Sequence, residues 1–581
     1  MERHTSCKVT IELYDVSAME DSTFTVNNKQ SFSNIDSIRE SQEIVRIATL
    51  EPNYFLLDGS YTMKDDVSDL TNHIGYMSRY YYSTINSTFG DNHSCAGITF
   101  HFYETVPNKI ELKFTHNSSW IASDTFNITT SDCTVSKHDT YTEYIYFADC
   151  DAEDFNELQM TFTCDDRFVR LNYIDYGVKL EYSEDSANKV KSCSLVEEVD
   201  VTSSELSINQ TTLELIDSDK RFDITNSTSY YKYLQQRQKF TIYEEIDDTE
   251  KMMAIHYLKE WSQTKSMVAS FTLQDVIGLM ENTTFYGGVY TNVTAKALID
   301  EVMNDYGWTD YTISDEIKDI KLTGYLAVMT HRQALQQIAF ACGACVDTSR
   351  ISGISIYVPT LENSGYIDTD RKLISTAHEI KQEDLVTGIQ MTTHSYILES
   401  ETSQAYKGTL DAGEHRVTFS EPYESLTITG GTINKSNCNY ADITVSSAGE
   451  VVITGYKYAD NTADRVYKMN ELPSSTMENY TKVDSATLIS KSNVDDVIAY
   501  MYKIKQYRLT HTLKMITVNE QVSNMYAVRA NGLNVPLLIT KMTTDLAGGF
   551  TSSVEGIGYA LQITDYYRTG TELYAGSEAI I

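Results

Sequence analysis

The stretch LLITKMTTDLAGGFTSSVEGIG, Leu537 to Gly558, reads as strand, turn, strand. Leu537 to Thr544 and Phe550 to Gly558 are the two strands, and Gly548 and Gly549 between them supply the turn or bulge positions that glycine takes without steric cost. Working upstream, Leu509 to Val518 and Tyr526 to Val528 also read as strands, so the C-terminal part of the chain is a β unit. Before it, Ser492 and Asp495 open a predicted helix whose Val494, Val497, Ile498, Met501 and Ile504 form an i, i+3, i+4 stripe.

With 581 residues the chain exceeds one core, and at roughly 100 to 200 residues per domain three to five units are expected. Hydrophobic residues at 41% supply enough apolar material for a folded protein, and 42 Tyr against 6 Pro favours extended sheets over Pro-rich linkers. A net charge of −36 argues against stable nucleic-acid binding, which draws its affinity from Lys and Arg on phosphates. The same charge suits a conduit that DNA passes without sticking, and equally suits plain solubility.

No apolar run has the roughly 18 to 20 residues of a membrane span, and Met1 to Lys8 lacks a signal-peptide core, so a chain made and kept in a cytoplasm is expected. The ten Asn-X-Ser/Thr sequons, Asn86 and Asn117 among them, are chance products of an Asn-, Ser- and Thr-rich chain on that reading. Nine Cys is an odd number with no framework spacing. The CxxC of Cys342 and Cys345 has no second pair and reads as core packing.

Val9 to Asp15 alternates as a half-buried strand. Short strands follow at Ile98 to Tyr103, Lys109 to Phe114, Tyr144 to Phe147 and Phe168 to Ile174, a spacing that suggests a sandwich. Further strands are expected over Ser194 to Thr202, Glu205 to Ile216 and Gln238 to Glu244. A capped helix is predicted from Thr272 to Met280. Others are expected over Ala295 to Tyr306, ended by Gly307, and after Thr330, boxed by Gln333 and ended by Gly343. Thr427 to Ile433 looks like a hairpin within a small β insertion.

The closing stretch resembles the last barrel strands of the hub, or tail-tip, proteins of bacteriophage tails, whose phrase is close to "TKMTLDLSGGF…EGRG". ATLEPNYFLLDGS at Ala48 to Ser60 resembles the start of that family's inserted sandwich. HSCAGITFHF at His93 to Phe102 resembles one of the insert's strands. VDVTSSELSINQTTLELIDSD, from Val199, resembles the first hub barrel, and YMYKIKQYRL at Tyr500 to Leu509 the family's Tyr- and Arg-bearing helix.

The resemblance implies a mainly β chain with α+β parts: two hub-type β-barrels, a jelly-roll-like β-sandwich insertion, a small helical subdomain and a small β insertion. The first barrel takes 1–47 plus 190–268, the carbohydrate-binding-like sandwich 48–189, the helical part 269–398, the β insertion 399–470 and the second barrel 471–581. The implied role is a tail-tip component of the virion: a homotrimeric ring that joins the tail tube to the tip and gates a channel for DNA. Its partners would be the tail tube protein, the distal tail protein, the tape-measure protein and a tip spike or fibres. The alternative is an adhesin arm that grips a host-surface glycan, with Tyr80, Tyr81, Tyr82 and Trp120 placed to stack on sugar rings.

Catalysis is not expected. The chain has no HExxH, Gly-x-Ser-x-Gly or Gly-rich phosphate loop. Its acidic residues single out no catalytic pair, and His256, His331, His378 and His394 have no partner at ligand spacing, so neither metal nor cofactor is implied.

Overall fold

The computed structural model describes residues 5–559 apart from 15, 30–32, 42–43, 45–74, 96, 139–140, 151, 166–167, 184–188, 218–219, 221, 224, 226–233, 235–236, 247–248, 266, 374–377, 470–476 and 531–532. The string at 48–60 therefore lies outside the described residues. Strand makes up 58% of the structure and helix 12%.

Seven strands close a barrel: β1 (Thr5–Tyr14), β2 (Arg170–Ser183), β3 (Lys189–Glu198), β4 (Gln210–Ile216), β5 (Lys239–Ile246), β6 (Thr249–Lys265) and β7 (Val268–Gln274). The ladder runs β1–β5–β6–β7–β4–β3–β2 and returns to β1. Every pairing is antiparallel except the single parallel step from Ser183 to Lys189. Period-2 alternation explains the closure, since Cys7, Val9, Ile11 and Leu13 of β1 all point into a core shared with Leu195, Leu213, Phe240 and Phe271. Residues 200–209, expected to be largely strand, instead form a turn and loop. Asp200 holds that turn, accepting from Thr202 N, Thr202 Oγ1 and Glu205 N.

The sandwich grows out of β2. Its first half, from Leu171 to Tyr176, pairs with Ile98–Tyr103, and its second half, from Gly177, pairs with β1. The strand thus leaves one unit and enters the next without a linker. A five-stranded sheet (23–26, 82–95, 152–163, 109–116, 119–127) faces the sheet that holds 98–103, 142–148 and 170–176. Phe100, Phe102, Phe114, Phe155 and Phe162 fill the space between them. Phe162 sits edge-on to Phe100 at 5.4 Å, the geometry aromatic quadrupoles prefer.

Four helices stand beside the barrel: α1 (Val276–Met280), α2 (Ala295–Tyr306), α3 (His331–Cys342) and α4 (Val494–Lys505). The Thr330/Gln333 capping box forms, and Gly307 and Gly343 end α2 and α3 in the left-handed conformation their sequence positions call for. Two expected starts are corrected. Thr272 belongs to β7, and Asp275 is the cap of α1. Ser492 bonds Ser490 rather than capping α4, which begins at Val494. Val494, Val497, Ile498 and Met501 of the α4 stripe share a core with Ile299, Val302, Leu335 and Ile338, while Ile504 joins Val201, Met525 and Leu538, so a helix encoded near the C terminus completes the core of a middle subdomain.

Between Tyr396 and Asp460 the chain forms two stacked three-stranded sheets around Val417, Ile443, Val451 and Ile453. The expected hairpin across Gly430 and Gly431 is a corner instead. Tyr423–Thr429 pairs with Gly449–Asp460 in one sheet, and Thr432–Ser436 pairs with Tyr440–Val445 in the other. Asn439, at the tip, docks the insertion on the helical part by donating to Leu326 O at 2.9 Å and Tyr286 O at 2.6 Å.

The C-terminal unit orders its strands β8–β11–β12–β13–β10–β9: β8 (Asn363–Ile367), β9 (Glu379–Gln382), β10 (Leu509–Ile516), β11 (Met525–Ala530), β12 (Leu533–Asp545) and β13 (Thr551–Gly558). Among the described residues no ladder joins β8 to β9. The long β12 bends between units, pairing with β11 from Leu533 to Leu538 and with β3 of the barrel from Lys541 to Asp545. One 17-stranded sheet consequently runs through the barrel, the shared half of the sandwich and the C-terminal unit.

Candidate functional site

The joint between the barrel and the C-terminal unit is built by the stretch Leu537 to Gly558. In the turn after β12, Leu546 N donates to Cys193 O at 2.8 Å and Phe550 N to Asp545 O at 3.1 Å, while Gly549 and Phe550 take positive φ. That geometry turns Leu546 and Phe550 into the core of the barrel, with Leu546 fully buried and Phe550 4% exposed. Met542 and Val554, four residues from each, enter the core of the C-terminal unit. Leu546 and Phe550 of the DLAGGF phrase are thus a plug, and the flanking strands are the weld.

Two buried polar clusters fasten the helical part to the same joint. Arg350 makes a bidentate bond to Glu197 of β3, with both distances 3.0 Å and both side chains almost fully buried (4% and 1% exposed). Asp275, between β7 and α1, accepts from Gly278 N at 3.0 Å, Asn209 N at 3.0 Å and Thr348 Oγ1 at 2.7 Å. Burial pushes the Asp275 carboxyl up to about 6, against those three hydrogen bonds. A raised carboxyl means the fold favours the protonated form, so this contribution to stability is full below pH 3.8 and is lost as pH climbs toward 6. Asp275→Asn is expected to remove about 2–3 kcal/mol of that decline. Denaturant titrations of wild type and variant at pH 4 and pH 6.5 would show it as a converging difference. A parallel pair of curves would contradict it.

The aromatic residues singled out for sugar stacking are all exposed, but they do not form one site. Tyr80, Tyr81 and Tyr82 lie together where the chain enters the strand Tyr82–Cys95. Ser78 fixes that entry by donating to Tyr80 O at 2.6 Å, and Cys164 N does so by donating to Tyr81 O at 2.7 Å. The rings of Tyr80 and Tyr82 are near-parallel at 6.2 Å, Tyr81 meets Tyr82 edge-on at 5.3 Å, and Arg79 covers Tyr80 at 5.7 Å. Trp120 pairs with Thr115 at the opposite corner of the same sheet. Six residues along the strand and three strands across separate it from Tyr82, about 25 Å at standard strand dimensions.

Between those corners the outer face of the sheet carries a depression of about 280 Å³, lined by Asn86, Thr88, Lys113, Thr115, Glu157 and Gln159. It was missed in the sequence, although outward polar residues at 84, 86 and 88 against inward Ile85 and Phe89 were the available signal. Its groups largely satisfy one another, with Gln159 Nε2 donating to Asn86 Oδ1 at 2.9 Å and Thr115 Oγ1 to Glu157 Oε2 at 2.7 Å.

Each histidine weighed as a ligand has a local partner. His256 bonds Thr211 at 2.8 Å, and burial lowers it to about 3. His331 lies between Thr283 and Asp305, His394 bonds Asp460 at 2.8 Å, and His378 meets His511 at 3.1 Å. Among the described residues no three His, Cys, Asp or Glu side chains converge in metal-binding geometry. The CxxC sulfurs diverge, Cys345 into the C-terminal core and Cys342 against the helical one, and burial pushes Cys342 up to about 12, away from thiolate chemistry.

No protein-family model matches the chain, and no curated protein sequence matches it significantly. Among solved structures it is similar to the 43 kDa tail protein of prophage MuSo2 from Shewanella oneidensis, with TM-score 0.37, 8% identity, and coverage of 63% of this chain and 93% of that one. A tail protein from Neisseria meningitidis MC58 gives TM-score 0.37 at 9% identity, covering 63% and 92%. Prophage tail protein gp18 from Listeria monocytogenes EGD-e gives 0.35 at 9%, covering 63% and 87%. Likeness of this degree carries no functional inference.

Proposed function

We propose that the chain is a structural hub at the distal tip of a phage or phage-like tail, a non-catalytic ring component through which DNA passes. The observation that carries this reading is the placement of the Leu537–Gly558 stretch, whose wording resembles the closing strands of hub proteins. Its turn plugs the barrel with Leu546 and Phe550, and its strands weld the barrel to the C-terminal unit. Such a part works through backbone ladders and packed faces and needs no reactive side chain. On this reading three copies form the ring. The tail tube and distal tail proteins dock above, the tape-measure protein ends within, and a spike or fibres attach below. The net charge of −36 keeps DNA from adhering to the wall. Sedimentation of the purified chain tests the ring directly: a threefold mass supports it, and a monomer at all concentrations up to those of assembly removes it.

A second reading, a glycan-gripping arm, is favoured by the three exposed, mutually stacked tyrosines at 80–82. Tyr80→Ala, Tyr81→Ala and Tyr82→Ala together should abolish binding to host-cell-wall polysaccharide while leaving the melting curve in place. Unchanged binding, or none in wild type, would eliminate the arm. Clearing of host walls in a zymogram by the purified chain would overturn the non-catalytic assignment.

A further inference from the structure

The sandwich chain passes between its two sheets twice at one corner. The two crossings are held side by side there by the pair Ile98 and Ala148 on one sheet and the pair Cys95 and Ala152 on the other. Cys95 ends its strand, and Cys150 sits in the three-residue connection between the strands that end at Ala148 and begin at Ala152. Both are buried, at 4% and 3% exposure, in the same aromatic core, and the Cys95 thiol beside Cys150 adds to burial in raising the Cys150 thiol. The corner is tightly built. Gly97 crosses it at φ +153°, where a β-carbon would fall 2.3 Å from the ring of Phe147 and 2.8 Å from Ala148 O.

Directly opposed antiparallel residues have Cα atoms about 4.5–5.5 Å apart and diagonal neighbours about 7–8 Å. A disulfide requires less than about 7 Å, so Cys150, two residues before the Ala152 that faces Cys95, needs only a small closing of the corner to reach it. Both cysteines are free thiols in this structure.

We propose that Cys95 and Cys150 are a latent disulfide, reduced in a cytoplasm and closed by exchange with a small-molecule disulfide such as oxidised glutathione in an oxidising medium. One protein thiolate attacks the glutathione S–S bond and expels a glutathione thiolate. The second then attacks the protein sulfur of the mixed disulfide and expels the other. The two thiol protons leave with two molecules of reduced glutathione, and one S–S bond replaces another. The new bond staples both connections between the sheets and closes a loop of 55 residues, 150 minus 95. Burial and the neighbouring thiol hold Cys150 protonated, so closure is slow and waits on opening of the corner.

The test incubates the full-length chain with oxidised glutathione at pH 8.5 until the half-exposed Cys133 has been converted to a mixed disulfide. The sample is then denatured, alkylated and digested without reductant for mass spectrometry. The expected result is one peptide pair joined through Cys95 and Cys150, lighter by two hydrogen atoms. It should be absent from Cys150→Ser and Cys150→Ala, accompanied by a higher melting temperature, and reversed by dithiothreitol. Alkylated Cys95 and Cys150 after Cys133 is consumed, separate glutathione adducts on the two, or links to other cysteines would each overturn the proposal.

Discussion

Arg350→Ala is expected to destabilise the protein by about 3–5 kcal/mol, because it leaves the Glu197 carboxylate buried without its bidentate partner. Both partners are almost entirely out of water, and the bond between them is bidentate at 3.0 Å. The pair also spans two units: Glu197 lies on β3 within its ladder to β12, and Arg350 follows the short strand Cys345–Asp347. The loss should therefore appear as uncoupling, with the helical part melting separately from the barrel in calorimetry. The double variant Glu197→Leu with Arg350→Met should recover most of the stability, since apolar groups of similar volume replace a buried pair at little net cost. A single unshifted transition for Arg350→Ala would show that the pair is not what ties the units.

Phe550→Ala is expected to cost about 3–5 kcal/mol, the range for removing a buried aromatic ring. What distinguishes it from an ordinary core truncation is where the cavity opens. The residue belongs by sequence to the C-terminal hairpin but sits in the barrel core with Leu546, beside Cys193 and Leu195. Val554→Ala, four residues on and buried in the C-terminal core, serves as the control. Hydrogen exchange should show lost protection in β3 and β4 for Phe550→Ala, and in β10 and β12 for Val554→Ala. Identical exchange patterns in the two variants would mean that the turn is not a plug.

The legibility of this fold follows the range of the interactions that make it. Ile98–Tyr103 and the Thr330/Gln333 box were readable to the residue, because alternation and capping are settled within a few positions. The faces of α4 were equally plain, but its partners lie on helices more than 150 residues earlier, and an amphipathic stripe does not name what it packs against. The same limit hid the corner at Gly430 and Gly431. Two glycines between strands signal a reversal, while the choice between pairing the flanking strands and sending them to separate sheets is decided by Gly449–Asp460 and Tyr440–Val445. Residues 200–209 alternate like a strand, yet Asp200 offers a local acceptor that draws the backbone into a turn, and Leu206 is taken by the helical core.

Exposure at Tyr80–Tyr82 and Trp120 was also beyond local reading. A tyrosine on a small sheet packs inward or outward according to register, and the 25 Å between the two groups depends on the order of strands within the sheet. The DLAGGF phrase shows the opposite case. Its wording is distinctive, and the structure supplies the physical reason, since Gly549 and Phe550 at positive φ bend the turn so that Leu546 and Phe550 enter a neighbouring barrel.

The central claim, a hub at the tail tip, is tested most directly by immunogold electron microscopy of intact particles with antibody against this chain. Label is expected only at the end of the tail away from the capsid. Label absent from accessible particles, with the protein found free or on cells, would contradict it.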